Sequence, residues 1–281
     1  MSRFDEHGNH IFMWAFAEKN IYEKIKMTRA MTQLSDKGLS SDIIHEQKLL
    51  SLNDLPPARD VDVLPLRFHP AKKGFSSVEG QARMLHDLAN IELQAMELGL
   101  RTLCDFPDSP EAFKEELYNI ILSESDHLEM CLLEIEKLGF KWGDWPAHVA
   151  LWNATSSKDS LLDRILIVHR YLEGSGLDAG DTLIRRLRGV DSKTILLAVE
   201  RINREEVEHV LFGSEWYVKI CSLEGLDPNE DYFTRMRALK WVLPKRMEPI
   251  NVELRKKAGF TDNEIQYLQN LRDSFLKNLK Q

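Results

Sequence analysis

Hydrophobic residues recur every three or four positions along four long stretches of this chain, with polar residues between them. That spacing is typical of amphipathic α-helices, because 3.6 residues complete one helical turn. No stretch alternates hydrophobic and polar residues for long enough to predict a β-strand. The pattern therefore predicts an all-α protein, with helices over residues 76–103, 109–138, 159–188 and 192–223.

Local signals define the ends of these predicted helices. Ser76 with Glu79 three residues later is a capping-box pattern, and Pro107 follows the end of the first helix. The run 109–111, Ser-Pro-Glu, begins the second helix with a cap, a first-turn proline and an acidic residue at the positive end of the dipole. Three glycines inside the third stretch predict a bend or break there: Gly174, Gly176 and Gly180.

The chain outside these helices is more varied. Residues 1–50 are weakly helical, with a second short run over 43–50, whereas four prolines within 53–75 predict an extended strap whose apolar side chains lie on the protein. The tail predicts helical pieces over 233–242 and 261–279. We therefore expect three parts, namely an N-terminal helical segment with strap over 1–75, a helical bundle over 76–225 and a C-terminal helical extension over 226–281.

The composition is that of an ordinary globular protein, and it excludes some kinds of site. Hydrophobic residues make up 43% and charged residues 29%, and the net charge of −8 disfavours broad binding to a phosphate backbone. Cys104, Cys131 and Cys221 form no C-x-x-C pair, which excludes a zinc ribbon or a rubredoxin-type iron knuckle. An odd cysteine count without a secretory leader predicts a cytoplasmic protein, and no stretch predicts a membrane-spanning helix.

The same short motif occurs in the second and the fourth predicted helix. Glu124 and His127 are three residues apart, and so are Glu206 and His209. Residues with this spacing leave the same face of a helix, so each carboxylate and imidazole could bind one metal ion together. One Glu-x-x-His motif in a glutamate-rich chain is weak support for a site, and on its own it is compatible with a solvated helix face.

What precedes each motif makes the metal-site interpretation stronger. Glu92 lies 32 residues before Glu124 in an apolar run, and Glu173 lies 33 residues before Glu206 in another. Two helices with one glutamate each and two with Glu-x-x-His supply the ligands of di-iron and di-manganese carboxylate bundles. We therefore predict that six side chains hold two metal ions: Glu92, Glu124, His127, Glu173, Glu206 and His209.

The types of these residues indicate which metals to expect. Carboxylate oxygens with a few imidazole nitrogens and no sulfur favour iron or manganese over zinc or copper(I). Four glutamates balance the charge of two divalent ions. Iron is the expected metal and manganese the alternative, and any catalysis belongs to the metal pair itself.

Some neighbouring residues are weaker candidates. Glu205 could hold the outer nitrogen of a ligand histidine, with a plain surface acid as the alternative. His169 precedes Glu173 by four residues and shares its helix face, where it could line the site or be an ordinary core residue. Four arginines of the third stretch predict a basic face that is solvated or paired with acids: Arg170, Arg185, Arg186 and Arg188.

Several specific strings surround these residues: Glu79-Gly-Gln-Ala-Arg83, Ile91-Glu-Leu-Gln-Ala95, Gly143-Asp-Trp-Pro-Ala-His148, Gly176-Leu-Asp178, Glu206-Val-Glu-His209 and Gly225-Leu-Asp-Pro228. In these strings the chain resembles the bacterial ferritin-like proteins grouped as domain of unknown function 455. The resemblance covers roughly residues 54–270, and it implies a ferritin-like four-helix bundle with N- and C-terminal extensions and the same six ligands. The chain departs from it at Asn90, where histidine is expected, and at Gly174-Ser175, where Ala-Arg is expected.

Several functions are compatible with such a centre. The leading hypothesis is an oxygen- or peroxide-dependent oxidase or hydroxylase of a small organic substrate, with an electron donor that the sequence does not specify. A hydroxylase of modified tRNA is a narrower version, although the acidic charge disfavours nucleic acid. Ferroxidase, iron-binding or manganese-catalase activity needs no organic substrate, and an interaction protein with a vestigial site is the non-enzymatic alternative. A homodimer is compatible with a bundle of this size.

Overall fold

The computed structural model describes residues 14–34, 56–245 and 248–278. These residues contain no β-strand, and one isolated bridge joins Val63 and Ala147. The prediction of an all-α protein is confirmed. The chain divides into two compact units, residues 1–158 and 159–281. The predicted run 43–50 and Leu279, at the end of the predicted last helix, lie outside the described residues, and the predicted three-part division stays a prediction.

The first unit is built on two long helices that form a hairpin. Its described residues form α1 (Trp14–Ala17), α2 (Ile21–Leu34), α3 (Val78–Asp105) and α4 (Glu111–Lys137), with 3₁₀ turns at Leu66–Phe68 and Trp152–Ala154. Where α3 and α4 cross, a Cβ on Gly99 would lie 2.5 Å from Ile121 Cγ1, so only glycine lets the helices approach this closely.

The first long helix begins one residue later than predicted. Ser77, with an extended backbone, accepts a hydrogen bond from Gly80 N–H, and it is the cap instead of Ser76. Phe106 follows the end of α3, immediately before Pro107, as the proline predicts. These two signals fix the ends of α3, and therefore the positions of its side chains along the helix.

The strap lies against the unit through its backbone rather than its side chains. Leu64 N–H donates to Ala147 O at 2.9 Å, and Ala147 N–H donates to Asp62 O at 2.8 Å. The prediction that its apolar side chains lie on the protein is wrong for the four that are exposed: Val63, Leu64, Leu66 and Phe68. Proline-rich backbone has no helical partners for its polar groups, so the carbonyls and N–H groups determine how it packs.

A buried histidine is enclosed by the aromatic loop that follows α4. The His86 ring stacks on Trp142 with centroids 4.5 Å apart and meets the edge of Trp145 at 5.5 Å. Its Nε2 accepts a hydrogen bond from Gly143 N–H at 3.2 Å. Burial lowers the pKa of His86 to about 4, so the ring is neutral at pH 7.

This depressed pKa predicts that stability falls in mild acid. An unfolded histidine binds a proton below its ordinary pKa of about 6.5, whereas folded His86 does not until about pH 4. The unfolding free energy therefore decreases as pH falls through this window, by about 1.4 kcal/mol per pH unit from this group. Urea unfolding at pH values from 6.5 to 5.0, with chelator present, measures this decrease in the wild type and in His86→Gln. The glutamine keeps an acceptor but does not titrate, so equal slopes would contradict the prediction.

As far as residues 159–245 and 248–278 show, the second unit has one helix interrupted at residues 166–173, one long helix and three shorter ones. These are α5 (Leu161–Ile165), a π-helical segment (Leu166–Glu173), α6 (Gly174–Leu187), α7 (Lys193–Glu224), α8 (Pro228–Leu239), α9 (Val252–Lys257) and α10 (Asp262–Asn278). The break predicted by the glycines is present, but it is a π-helical segment that ends immediately before Gly174. Gly225, with φ of 70°, ends α7 in the left-handed conformation that glycine adopts easily.

Two glycines bring the interrupted helix close to α7. A Cβ on Gly180 would lie 2.2 Å from Asn203 Oδ1, and a Cβ on Gly213 would lie 2.4 Å from His169 Cβ. Gly213 lies on α7 and His169 on the π-helical segment, so the two backbones pass close together there. Within the described ranges, no helix is both long and apolar enough to cross a membrane.

Candidate metal centre

Three predicted ligands meet in the core of the first unit. Glu92 comes from α3, and Glu124 and His127 come from successive turns of α4. His127 Nδ1 lies 3.5 Å from Glu92 Oε2 and 3.6 Å from Glu124 Oε2. All three side chains are buried, with at most 3% of any residue exposed. We call Glu92, Glu124 and His127 the first half-site.

The distances in the first half-site are close to those between two ligand atoms of one metal ion. A direct N–H···O hydrogen bond is 2.7–3.2 Å long as a rule, and both contacts exceed that range. Two ligand atoms that share an ion at about 2.1 Å, with a bond angle near 90–110°, lie roughly 3.0–3.5 Å apart. This buried Glu/His group could therefore hold a metal ion.

The other three predicted ligands lie in the second unit. Glu173 is the last residue of the π-helical segment, and Glu206 and His209 leave one face of α7. His209 Nδ1 is 3.3 Å from Glu206 Oε1, and all three residues are buried. We call Glu173, Glu206 and His209 the second half-site. The pairs Glu124–His127 and Glu206–His209 thus have the same spacing, burial and ligand chemistry.

His169 contacts the second half-site directly. Its Nδ1 lies 2.9 Å from Glu173 Oε2, and the edge of Phe212 packs on the ring at 5.1 Å. His169 is 1% exposed, and its Nε2 has no hydrogen-bond partner among the described residues. A buried nitrogen without a hydrogen bond costs folding free energy. The Nε2 of His169 is therefore available to bind another group beside the candidate ligand Glu173.

Glu205 has a different environment. It is half-buried, and its Oε1 accepts from Arg201 Nε at 2.9 Å, one turn earlier on α7. That contact is an ordinary surface ion pair. Its predicted role beside a ligand histidine stays a prediction.

One residue near the first half-site was not singled out from the sequence. Cys131 follows His127 by one turn of α4 and is fully buried. Burial raises the pKa of its thiol well above the usual value, and the carboxylate of Glu92 raises it further. The sulfur therefore stays protonated at neutral pH, which agrees with an oxygen and nitrogen ligand set. The i to i+4 spacing from His127 is the signal that could have identified it.

Comparisons with known proteins identify a family but no activity. The profile of the family described as "Protein of unknown function (DUF455)" matches residues 17–266. An "Uncharacterized protein" of Haemophilus influenzae (strain ATCC 51907 / DSM 11121 / KW20 / Rd) is 27% identical over 259 residues, covering 86% of this chain and 89% of that protein. No solved structure matches the chain.

Proposed function

This chain belongs to the DUF455 family, and from its two buried half-sites we propose that it is a dinuclear metal-dependent oxidoreductase. In this proposal the α3–α4 hairpin and the pair formed by the interrupted helix and α7 are the two halves of a ferritin-like four-helix bundle. The first and second half-sites then share one centre with two ions, iron as the expected metal and manganese as the alternative.

The single observation that carries the proposal is the repetition of buried chemistry. Each half-site has one glutamate from one helix and Glu-x-x-His from the next, and all six side chains are buried. Buried carboxylates are costly to keep charged without a cation, because burial disfavours the ionised form. Four glutamates with two histidines supply what two divalent ions require, whereas a surface acidic cluster would not bury its members.

The chemistry of these ligands favours oxygen-dependent reactions. A bound iron pair would supply electrons to dioxygen. Carboxylate ligands would remain bound while the charge of the iron ions changes. For a hydroxylation, one oxygen atom enters a C–H bond of the substrate and the other leaves as water, with two electrons and two protons from an external donor. We propose a small organic substrate, because the net charge of −8 disfavours nucleic acid. The protein side chains hold the ions and exclude bulk water.

Anaerobic loading with ferrous iron tests this proposal. We expect about two ions per chain, followed by oxygen uptake on mixing with air-saturated buffer and a new absorption band. Metal-free protein under the same conditions is the control and should consume no oxygen. The proposal fails if iron occupies both positions and no oxygen is consumed. Peroxide decay by the manganese-loaded protein would instead support a catalase, and elution as a large shell would support iron storage.

A further inference from the structure

The backbone around Glu173 departs from the α-helical pattern. In a regular α-helix, the N–H of residue 174 would donate to the carbonyl of Arg170. Here Gly174 N–H donates to the carbonyl of Tyr171 instead. The Arg170 carbonyl accepts a hydrogen bond from Arg255 Nη1, at 3.2 Å. A side chain of α9 thus bonds a carbonyl of the π-helical segment.

Arg255 is held in place on several sides. The residue is fully buried, and its Nη2 donates to Asp178 Oδ2 at 2.8 Å. Asp178 Oδ1 in turn accepts from Asn251 N–H at 2.7 Å, and the Arg255 guanidinium lies 4.7 Å from the centroid of Phe260. The planar fork of arginine can reach a carboxylate and a carbonyl together, which a lysine ammonium on a single axis does less well.

The guanidinium also lies against the residue that follows Glu173. A Cβ on Gly174 would be 2.2 Å from Arg255 Nη1 and 2.9 Å from its Cζ. Only glycine therefore allows this contact. The contact between Arg255 and Gly174 is thus one residue away from the predicted metal ligand Glu173, at the junction of the π-helical segment and α6.

A second buried arginine connects the same segment to the C-terminal helices. Arg170 pairs with Glu264 of α10 through both guanidinium nitrogens, each about 3.0 Å from a carboxylate oxygen. Its guanidinium lies 4.6–5.2 Å from the ring centroids of Tyr217, Tyr232 and Phe260. The side chain of Arg170 is therefore bonded to α10, and its carbonyl is bonded to α9.

We propose that Arg255 is a positioning residue for the metal centre. By bonding the Arg170 carbonyl and lying against Gly174, it holds the π-helical segment in the conformation that presents Glu173 to a metal ion. π-Helical turns occur often at functional sites and need stabilising contacts, because their hydrogen bonding departs from the regular helix. The inference rests on the proposed function, since it takes Glu173 to be a ligand.

The test compares the wild type with Arg255→Lys in the full-length protein. The lysine keeps the positive charge beside Asp178 but loses the fork that also reaches the carbonyl. We expect cobalt(II), used as the probe, to bind about 10–100-fold more weakly, the range for partners outside the ligand shell. The visible cobalt spectrum should also change, and amide hydrogen exchange over residues 170–175 of the metal-free protein should become faster.

Arg235→Lys is the matched control in the same unit. Arg235 also bonds two acidic side chains, Asp231 at 2.6 Å and Asp163 at 2.8 Å, but it does not contact the π-helical segment in any described interaction. We expect this variant to lose comparable stability while the cobalt spectrum, cobalt affinity and exchange over 170–175 stay at wild-type values. A purely structural role for Arg255 would make the two variants alike.

The outcomes separate the two proposals. If the wild type binds two cobalt ions and Arg255→Lys matches it in spectrum and affinity, the positioning role is overturned and the metal centre stands. If the wild type binds no cobalt, the proposed function is overturned, and the positioning role with it. Should Arg255→Lys fail to fold, Gly174→Ala displaces only the end of the Arg255 side chain, and an unchanged spectrum in that variant overturns the inference.

Discussion

We expect His127→Ala to lower the affinity for ferrous or cobalt(II) ions by more than about 100-fold at one of the two proposed positions, and His209→Ala to do the same at the other. Loss of partners outside the ligand shell already costs about 10–100-fold, so loss of a ligand itself costs more. His127 Nδ1 lies 3.5 Å from Glu92 and 3.6 Å from Glu124, and His209 Nδ1 lies 3.3 Å from Glu206. The repeated pattern therefore predicts two matched losses, and the double variant should bind neither ion tightly.

Titration calorimetry or equilibrium dialysis measures both affinities, and circular dichroism checks that the variants stay helical. Glu208→Ala is the control, because Glu208 precedes His209 on α7 but is exposed. It should bind two ions with wild-type affinity. Two tightly bound ions in both histidine variants would refute the assignment of these ligands. A loss in only one variant would refute the idea that the half-sites are equivalent.

Glu97→Gln lowers the unfolding free energy by about 3–5 kcal/mol. Glu97 is buried against two cationic side chains: its Oε1 lies 2.5 Å from Lys24 Nζ and 2.6 Å from Arg59 Nη1, and its Oε2 lies 2.5 Å from Arg59 Nη2. None of the three side chains is more than 3% exposed. Glutamine keeps the shape but removes the negative charge, so two buried cations lose their partner.

The charges of this group also predict the order of two variants. Burial lowers the pKa of Lys24; Glu97 opposes that shift and Arg59 adds to it. Lys24→Met leaves a one-to-one pair between Glu97 and Arg59, so it should cost less than Glu97→Gln. Urea unfolding with chelator present, which removes any contribution of bound metal, measures both.

An exposed ion pair provides the control for this comparison. Glu253 and Lys257 on α9 lie 2.8 Å apart with most of both side chains exposed, so Glu253→Gln should leave the unfolding free energy essentially unchanged. The interpretation is wrong if Lys24→Met costs as much as Glu97→Gln. In that case, the group would depend on packing of the lysine stem rather than on charge balance.

The sequence predicted the long helices because their signals are local. Hydrophobic period, the proline after Leu103 and the glycine at 225 depend only on neighbours along the chain, and the observed helices agree with them to within a few residues. The first cap was placed one residue early, since Ser76 and Ser77 are both serines and only the backbone conformation distinguishes them.

The grouping within each half-site was also predictable in part. Spacing of three residues places Glu124 with His127, and Glu206 with His209, on one helix face whatever the surroundings. That Glu92 Oε2 lies 3.5 Å from His127 Nδ1 depends on how α3 packs on α4, which no spacing within a single helix specifies. The i to i+4 spacing places Cys131 on the face of His127, but its complete burial depends on how the helices pack.

The sequence by itself determined the all-α class, the helices and the six candidate ligands, because periodicity and spacing act over a few residues. Only the tertiary structure decided that Arg170, predicted to lie on a basic face, is buried against Glu264, and that the break in the third helix is a π-helical segment held by Arg255. Those contacts join residues 85 and 94 positions apart. No local pattern encodes such pairs, because burial and packing of the whole unit select them.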